Sequence, residues 1–274
     1  MIKTCLFPVA GFGTRFLPAT KSTPKELFPI MNKPLIHYAV LEASNAGMEN
    51  MCFITNKYKA SIQKYFSKHS YLESVLVGTG KEKELSELNQ LIASSSFSFK
   101  NQEIMLGLGH AILQGRELIG NNPFAVILPD DLCFNDSDSV LQQLINVYYK
   151  NPYKCILAIE EVDNINIDKY GIIDATPILD SDNLYSVVDM VEKPKISEAP
   201  SNLAVIGRYI LSPEIFDILE NTPPGTNNEI QVTDALRVLA KQGKVLALKF
   251  NGKRLDCGTP EGYISANNFY KKLN

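Results

Sequence analysis

The sequence predicts an α/β fold of three layers, a mixed and mostly parallel sheet lying between two sets of helices. Three observations carry this prediction. Apolar runs of strand length recur along the chain, stretches with helical periodicity lie between them, and most of the runs are apolar at successive positions instead of alternating. A strand that is apolar throughout is one covered on both faces. The 274 residues, 45% hydrophobic and 21% charged, supply a large core, and no linker divides them, so a single domain over 1–274 is expected.

Taken in order, Cys5 to Ala10 is the first apolar run, and a glycine-rich turn follows it. Leu35 to Ala46 reads as a helix because Pro34 precedes it and Gly47 follows, the usual order of a proline at a helix start and a glycine past its end. Met51 to Thr55 is the next strand. Residues 67–100 carry a weaker pattern, with a helix over Glu82 to Ala93 and a flexible join at Ser94-Ser95-Ser96, and read as an insertion able to act as a lid. Helices are then predicted over His110 to Leu118, Ser139 to Tyr149, Pro213 to Leu219 and Val232 to Lys241, with a C-terminal helical segment, 261–274. Strands fall between them at Phe124 to Leu128, Cys155 to Ile159, Ala204 to Leu211 and Val245 to Phe250.

The balance of 27 Lys and Arg against 30 Asp and Glu leaves a formal charge of −3. That gives no chain-wide cationic field for a nucleic-acid backbone or an anionic membrane, so any phosphate binding has to be local. No apolar run reaches the ~18 residues of a membrane span, and Met1-Ile2-Lys3 leads into a strand without a signal-peptide pattern. The five cysteines, Cys5, Cys52, Cys133, Cys155 and Cys257, are scattered and form no CxxC pair. Neither a disulfide framework nor a zinc knuckle is indicated, and a soluble protein of the reducing cytoplasm is expected.

Behind the first strand, Gly11 and Gly13 stand two apart, followed by Thr14 and Arg15. Small residues let main-chain N–H groups approach a phosphate and a cation beside them neutralises it, although a plain βα turn looks the same. A dinucleotide fingerprint fails, because Phe16 stands in place of the third glycine and Met31-Asn32-Lys33 in place of the later acidic residue. A Walker loop fails as well, since Gly80-Lys81 is followed by Glu82 and preceded, five positions before the glycine, by Val75. Arg15 and Lys25 lie on one irregular loop among prolines and glycines, two cations able to hold a triphosphate and stabilise a departing pyrophosphate.

Further on, Phe124 to Asp131 is an apolar strand ending in two carboxylates at the edge where open α/β sheets bind ligands. One or two carboxylates with phosphate oxygens are the usual holders of Mg²⁺, which makes Asp130 a candidate ligand. Asp256, just before Gly258 and Pro260, is a candidate second ligand, and its position also suits a residue that stabilises a turn.

The composite GxGTRxLPxTxxxPKExxP, running from Gly11 to Pro29, resembles the signature of the sugar-nucleotide pyrophosphorylases, which join a nucleoside triphosphate to a sugar 1-phosphate. The likeness continues through Tyr170 to Asp174, Val191 to Lys195, Ser201 to Gly207, Glu229 to Asp234 and Asp256-Cys257-Gly258, and so spans Phe7 to Tyr263. It implies a Rossmann-like fold of the nucleotide-diphospho-sugar transferase type. It also implies catalytic roles for Arg15, Lys25 and Lys193, and nucleotide contacts from Ala10, Gly11, Gly13, Thr14, Glu26, Gln102 and Gly107. Sugar contacts would come from Asp131, Gly171, Glu192 and Val205, and Mg²⁺ would be held by Asp130 and Asp256. These residue types suit the tasks: an amide offers donor and acceptor to a pyrimidine edge, a carboxylate accepts from sugar hydroxyls, and an ammonium meets a phosphate. His110 reads as structural, and the cysteines as packing residues.

Within this family, Glu26 after Lys25, the run Gly107-Leu108-Gly109-His110-Ala111 and the Asp-Cys-Gly turn are similar to the branch that uses UTP and glucose 1-phosphate. The resemblance therefore implies direct, Mg²⁺-dependent in-line transfer of a uridylyl group, yielding UDP-glucose and pyrophosphate. It further implies a homo-oligomer, dimer or tetramer, and a product destined for cell-surface polysaccharide. The alternatives are a thymidylyltransferase of the same family and a catalytically silent regulatory paralogue. The presence of Arg15, Lys25, Asp130, Lys193 and Asp256 together argues against silence.

Overall fold

A computed structural model describes residues 1–179 and 181–273. Asn274, the last residue of the expected C-terminal segment, and Asp180 lie outside the described residues. In chain order the strands are β1 (Thr4–Pro8), β2 (Pro29–Ile30), β3 (Lys33–Pro34), β4 (Asn50–Thr55), β5 (Ser96–Asn101), β6 (Phe124–Ile127) and β7 (Asp131–Phe134). They continue with β8 (Cys155–Glu161), β9 (Gly171–Pro177), β10 (Leu184–Glu192), β11 (Leu203–Leu211), β12 (Val245–Lys249) and β13 (Lys253–Asp256). The α-helices are α1 (Leu35–Asn45), α2 (Ala60–Tyr65), α3 (Ser70–Leu76), α4 (Ser86–Ser94), α5 (Gly107–Gln114) and α6 (Arg116–Ile119). After them come α7 (Val140–Lys150), α8 (Ile215–Glu220), α9 (Val232–Lys241) and α10 (Pro260–Leu273).

Nine strands form one mixed sheet in the order β5-β4-β1-β6-β11-β8-β12-β10-β9. Its first four strands run parallel, with Leu6 opposite both Cys52 and Val126. Strand β11 is antiparallel to β6 and β8, β12 is parallel to β8, and β10 and β9 close the far edge as an antiparallel pair. Two small ribbons, β13 with β7 and β2 with β3, stand outside it.

Side chains alternate between two cores. Cys5, Phe7 and Val9 face a layer that contains Ile36 and Val40 of α1 and Leu141 and Leu144 of α7. Leu6 faces the opposite layer, with Ile112 of α5, Phe216 of α8 and Leu236 of α9. Both faces are covered, which explains why β1, β6 and β8 are apolar at consecutive positions. Each fully buried Leu, Ile or Phe here contributes roughly 1.5–3 kcal/mol relative to exposure.

The structure adjusts several expected boundaries. The helix expected over 110–118 begins at Gly107 and breaks at Gly115, where a side chain would come 2.8 Å from Leu6 Cδ1, so helix and sheet approach too closely for one. Residues 82–93 form a 3₁₀ turn, Glu82–Leu85, leading into α4. The far end of the expected lid is corrected: residues 96–100 belong to the edge strand β5, because Phe97 and Phe99 stack on Phe53 and Phe66 of the core beneath. Helix α4 is also tied down, with Glu87 accepting from Lys33 (2.6 Å) and paired with the buried His37 (2.7 Å). Among the described residues no helix is long and apolar enough to cross a membrane.

Candidate active site

Strand β1 ends at Pro8 and releases the chain past Ala10 and Gly11 into a turn at Gly13, whose φ is 64°. A side chain there would also press on Thr20 (3.2 Å) and Lys25 (3.3 Å), so only glycine fits. Three single 3₁₀ turns, Thr14–Phe16, Ala19–Lys21 and Lys25–Leu27, then coil the signature segment back on itself, with Thr20 Oγ1 donating to Gly13 O (3.0 Å). Phe16 and Phe28 pack edge-on against Tyr263 of α10, whose hydroxyl donates to Pro29 O (2.6 Å). Aromatic packing, with little β pairing, fixes this irregular loop.

The loop carries Lys25 to Asp130, which follows β6, and Nζ lies 2.5 Å from Oδ2. Burial alone would lower the Lys25 pKa, but Asp130 and then Glu26 outweigh it and hold the ammonium above its ordinary value. Burial would raise Asp130, yet chiefly Lys25, and also Arg15, hold it below the usual carboxylate range. Both groups are therefore charged at neutral pH.

Cys257 N donates to Asp130 O (2.7 Å), lacing the turn after β13 to the turn after β6. Gly258 N donates to Asp256 Oδ1 (2.8 Å). A methyl group on Gly258 would lie 3.0 Å from Asp256 Oδ1, 3.5 Å from Asp130 Oδ2 and 3.6 Å from Arg15 Nη1. The two carboxylates and the guanidinium thus converge on one spot. Hard, anionic oxygen donors of this kind suit a divalent cation that completes its shell with phosphate oxygens and water. Among the described residues no group of three or more His, Cys, Asp and Glu forms a closed metal cage.

Two clefts open at this edge of the sheet. Ala10, Gly11, Gln102 and Gly107 line the first, about 260 Å³, together with Met105, Leu108 and Glu229. Much of its wall is built of Gly, Ala and Pro. Gly107, at φ 87°, has no room for a side chain, since one would come 2.7 Å from Glu229 Cβ. Gln102 is 3% exposed, and its Nε2 lies 3.3 Å from Gly107 O and 2.8 Å from His110 Nδ1. The other ring nitrogen of His110 meets the side-chain amide of Gln114 at 3.1 Å.

Arg15, Asp130, Asp131, Gly171, Glu192, Lys193 and Val205 line the second cleft, about 290 Å³. Leu108 and Glu229 border both, so the clefts adjoin. Glu192 Oε2 accepts from Thr233 Oγ1 (2.6 Å), and a side chain on Gly171 would crowd both groups. Lys193 turns at the end of β10 with φ 45°, its N–H donating to Tyr170 O (3.0 Å) and its Nζ 3.4 Å from Glu192 Oε1.

Four expected contacts are placed differently. Glu26 is 4% exposed, and both its oxygens accept from Lys59 Nζ (2.9 and 2.8 Å), so its carboxylate supports the loop from below. Asp131 borders the second cleft, but its oxygens already receive Arg254 Nη1 (2.6 Å) and Gly207 N (2.8 Å). Burial raises its pKa, with Arg254 opposing. Thr14 lines a separate hollow with Phe12, Leu17 and Tyr58, and Gly13 shapes the turn without lining either cleft. No residue of 67–100 lines the two clefts.

Sequence reasoning missed the residue that organises the charged side. Arg254 is almost buried, donates to Glu160 (2.6 Å), Asp131 and Tyr170 Oη (2.8 Å), and lies over the Tyr170 ring. Tyr170 Oη in turn donates to Asp256 Oδ2 (3.2 Å). A signal was available: Arg254 stands two residues before Asp256, on the same face of a strand. Arg208, 1% exposed on β11, was missed as well; it donates to Glu42 of α1 and to Leu128 O, bracing the segment that leads to Asp130.

Residues 9–273 match the family described as nucleotidyl transferase. The chain is 54% identical to a UTP--glucose-1-phosphate uridylyltransferase of Pseudomonas aeruginosa, over 100% of this chain and 98% of that protein. Its structure is similar to that of apo UDP-glucose pyrophosphorylase, with a TM-score of 0.95 and 53% identity over 100% of this chain and 99% of the other. It is similar also to UDP-glucose pyrophosphorylase complexed with UDP-glucose, with a TM-score of 0.93 and 52% identity over the full length of both chains. The chain is a nucleotidyltransferase and belongs to the nucleotidyl transferase family, among the UTP--glucose-1-phosphate uridylyltransferases.

Proposed function

We propose that the protein transfers the uridylyl group of UTP to glucose 1-phosphate, releasing pyrophosphate and UDP-glucose, as a single domain over 1–274. The observation that carries this reading is that the two clefts adjoin at Leu108 and Glu229: a space lined largely by Gly, Ala and Pro lies beside one lined by Arg15, Asp130, Asp131, Glu192 and Lys193. The full-length identity to a uridylyltransferase supports the choice of substrates.

In this reading uracil lies against Ala10, Gly11, Gln102 and Gly107. Arg15 and Lys25 meet the phosphates, while Lys193, Glu192, Gly171 and Val205 hold the sugar phosphate. Glucose 1-phosphate brings an anionic nucleophile, so no general base is required; the chain has to align two polyanions and offset their repulsion. Asp130 and Asp256 are the residues that would hold Mg²⁺, which when bound neutralises phosphate charge. Lys25 exchanges Asp130 for a phosphate as the nucleotide enters, so a cation is present where pyrophosphate charge develops. Glu26 and Asp131 act by positioning Lys59, Gly207 and Arg254. We extend the reading to a cytoplasmic homo-oligomer, dimer or tetramer, and exposed Ile264 and Leu273 on α10 suit a contact between copies.

The test is magnesium-dependent pyrophosphate release by the purified protein, with glucose 1-phosphate and UTP, dTTP, CTP, GTP or ATP offered separately. Release chiefly with UTP is expected. Release chiefly with dTTP would replace the substrate, and binding of UTP without release would replace the enzyme by a silent regulator.

A further inference from the structure

Gly107 O is a carbonyl and can only accept, so the end of the Gln102 amide that faces it at 3.3 Å is the NH₂ group. The same nitrogen lies 2.8 Å from His110 Nδ1, which therefore accepts, leaving the ring proton on Nε2. The Gln114 amide nitrogen is placed 3.1 Å from Nε2; because a ring with Nδ1 as acceptor carries its proton on Nε2, that amide has to be turned over so that its oxygen receives it. Among the described residues Gln102 Oε1 has no hydrogen-bond partner, and it is not among the side-chain atoms buried without one. Gln102 lines the first cleft, and Oε1 is the atom of its amide that remains available to a ligand there.

We propose that His110 is a specificity-determining positioning residue, which locks the Gln102 amide so that its oxygen faces the cleft and selects a pyrimidine bearing N–H at N3. The inference rests on the reading of that cleft as the nucleobase site. Uracil and thymine carry N3–H and donate to Oε1; cytosine has a bare N3, an acceptor that meets another acceptor. A site built around a fixed buried acceptor discriminates far better than one whose amide can turn over. Gln114, once its oxygen is turned toward Nε2, accepts the ring proton and supports the tautomer that receives the Gln102 NH₂. Desolvation holds the His110 pKa below its ordinary value, so the ring stays neutral near pH 7.

The experiment compares kcat and KM for UTP, dTTP and CTP in the wild type, His110→Phe and His110→Asn. Phe keeps the ring's bulk without an acceptor, while an Asn oxygen takes the place of Nδ1. The UTP-to-CTP ratio of kcat/KM is expected to fall about tenfold in His110→Phe, through the nucleotide KM, with the KM for glucose 1-phosphate unchanged, and to recover in His110→Asn. An unchanged ratio in His110→Phe, or equal loss toward both substrates, would overturn the inference. Nitrogen-15 NMR of the folded wild-type protein, which has only three histidines, tests it without a variant: a proton on Nδ1 of His110 would overturn it. A wild type that prefers dTTP to UTP while rejecting CTP would overturn the uridylyl reading and leave this one standing, whereas equal use of CTP and UTP would defeat the role of His110.

Discussion

The two clefts that meet at Leu108 and Glu229 are built on opposite plans. The first is walled, apart from Glu229, by two short stretches, 8–11 and 102–111, and relies mainly on small and apolar residues and a single amide. The second draws on the turn after β6, residues 169–171, the end of β10, β11 and the start of α9, and relies on charges. On that side nearly every charge has a partner: Arg254 serves Asp131, Glu160 and Tyr170, Tyr170 serves Asp256, and Thr233 serves Glu192. The lesson concerns how damage spreads. Shape made from small residues fails locally, whereas removing one ion from a desolvated lattice leaves its neighbours uncompensated.

The largest expected effect follows from that lattice. Arg254→Met leaves Asp131 and Glu160 without their shared cation, and is expected to destabilise the fold by about 3–5 kcal/mol in urea unfolding. A wild-type midpoint would show that the lattice adds nothing to stability and would erase the contrast between the sides. Next comes Asp130→Asn, at the junction, which keeps the shape of the side chain and removes its charge. A fall in kcat of about 10²–10³-fold is expected, with an unchanged circular dichroism spectrum, and near-normal turnover at saturating Mg²⁺ would remove Asp130 from the centre.

Two smaller effects separate the clefts by substrate. Lys193→Ala is expected to raise the KM for glucose 1-phosphate by about tenfold or more and to leave the KM for UTP nearly unchanged; equal losses would move Lys193 out of its assigned place. Gly107→Ala should do the reverse. Its φ of 87° and the 2.7 Å approach to Glu229 Cβ make any side chain strained, by about 1–2 kcal/mol, and the strain falls on the nucleotide side. Steady-state kinetics with each substrate varied in turn would show whether UTP affinity alone suffers.

The same contrast decides what was legible in the sequence. In the first cleft the glycine pair behind the first strand pointed to Gly11, while Ala10 and Gly107 came from the resemblance to the sugar-nucleotide pyrophosphorylases. The strands β6 and β11 were equally plain, because burial on both faces makes them apolar throughout. Strands β9, β10 and β13 were not read, since each has an exposed or polar face that dilutes the apolar pattern. Arg254 and Arg208 escaped because their partners lie 80 or more positions away; for Arg254 the spacing from Asp256 was the one local sign, and it does not tell that the cation is buried. For the same reason Glu26 and Asp131 looked like open carboxylates; only the fold reveals that Lys59 and Arg254 have already taken them.

Helix α10 carries a consequence for how the protein comes into being. The signature loop near the N-terminus rests on Tyr263 through Phe16, Phe28 and Pro29 O, and Met31 N donates to Asn267 Oδ1 (3.1 Å). A ribosome makes these partners more than 200 residues apart, so the loop bearing Arg15 and Lys25, already tied to Lys59 and Asp130, lacks its aromatic support until α10 leaves the exit tunnel. A nascent chain can assemble the parallel strands β1, β4, β5 and β6 early. Its phosphate-handling loop, made well before α10, completes its packing only when that helix arrives.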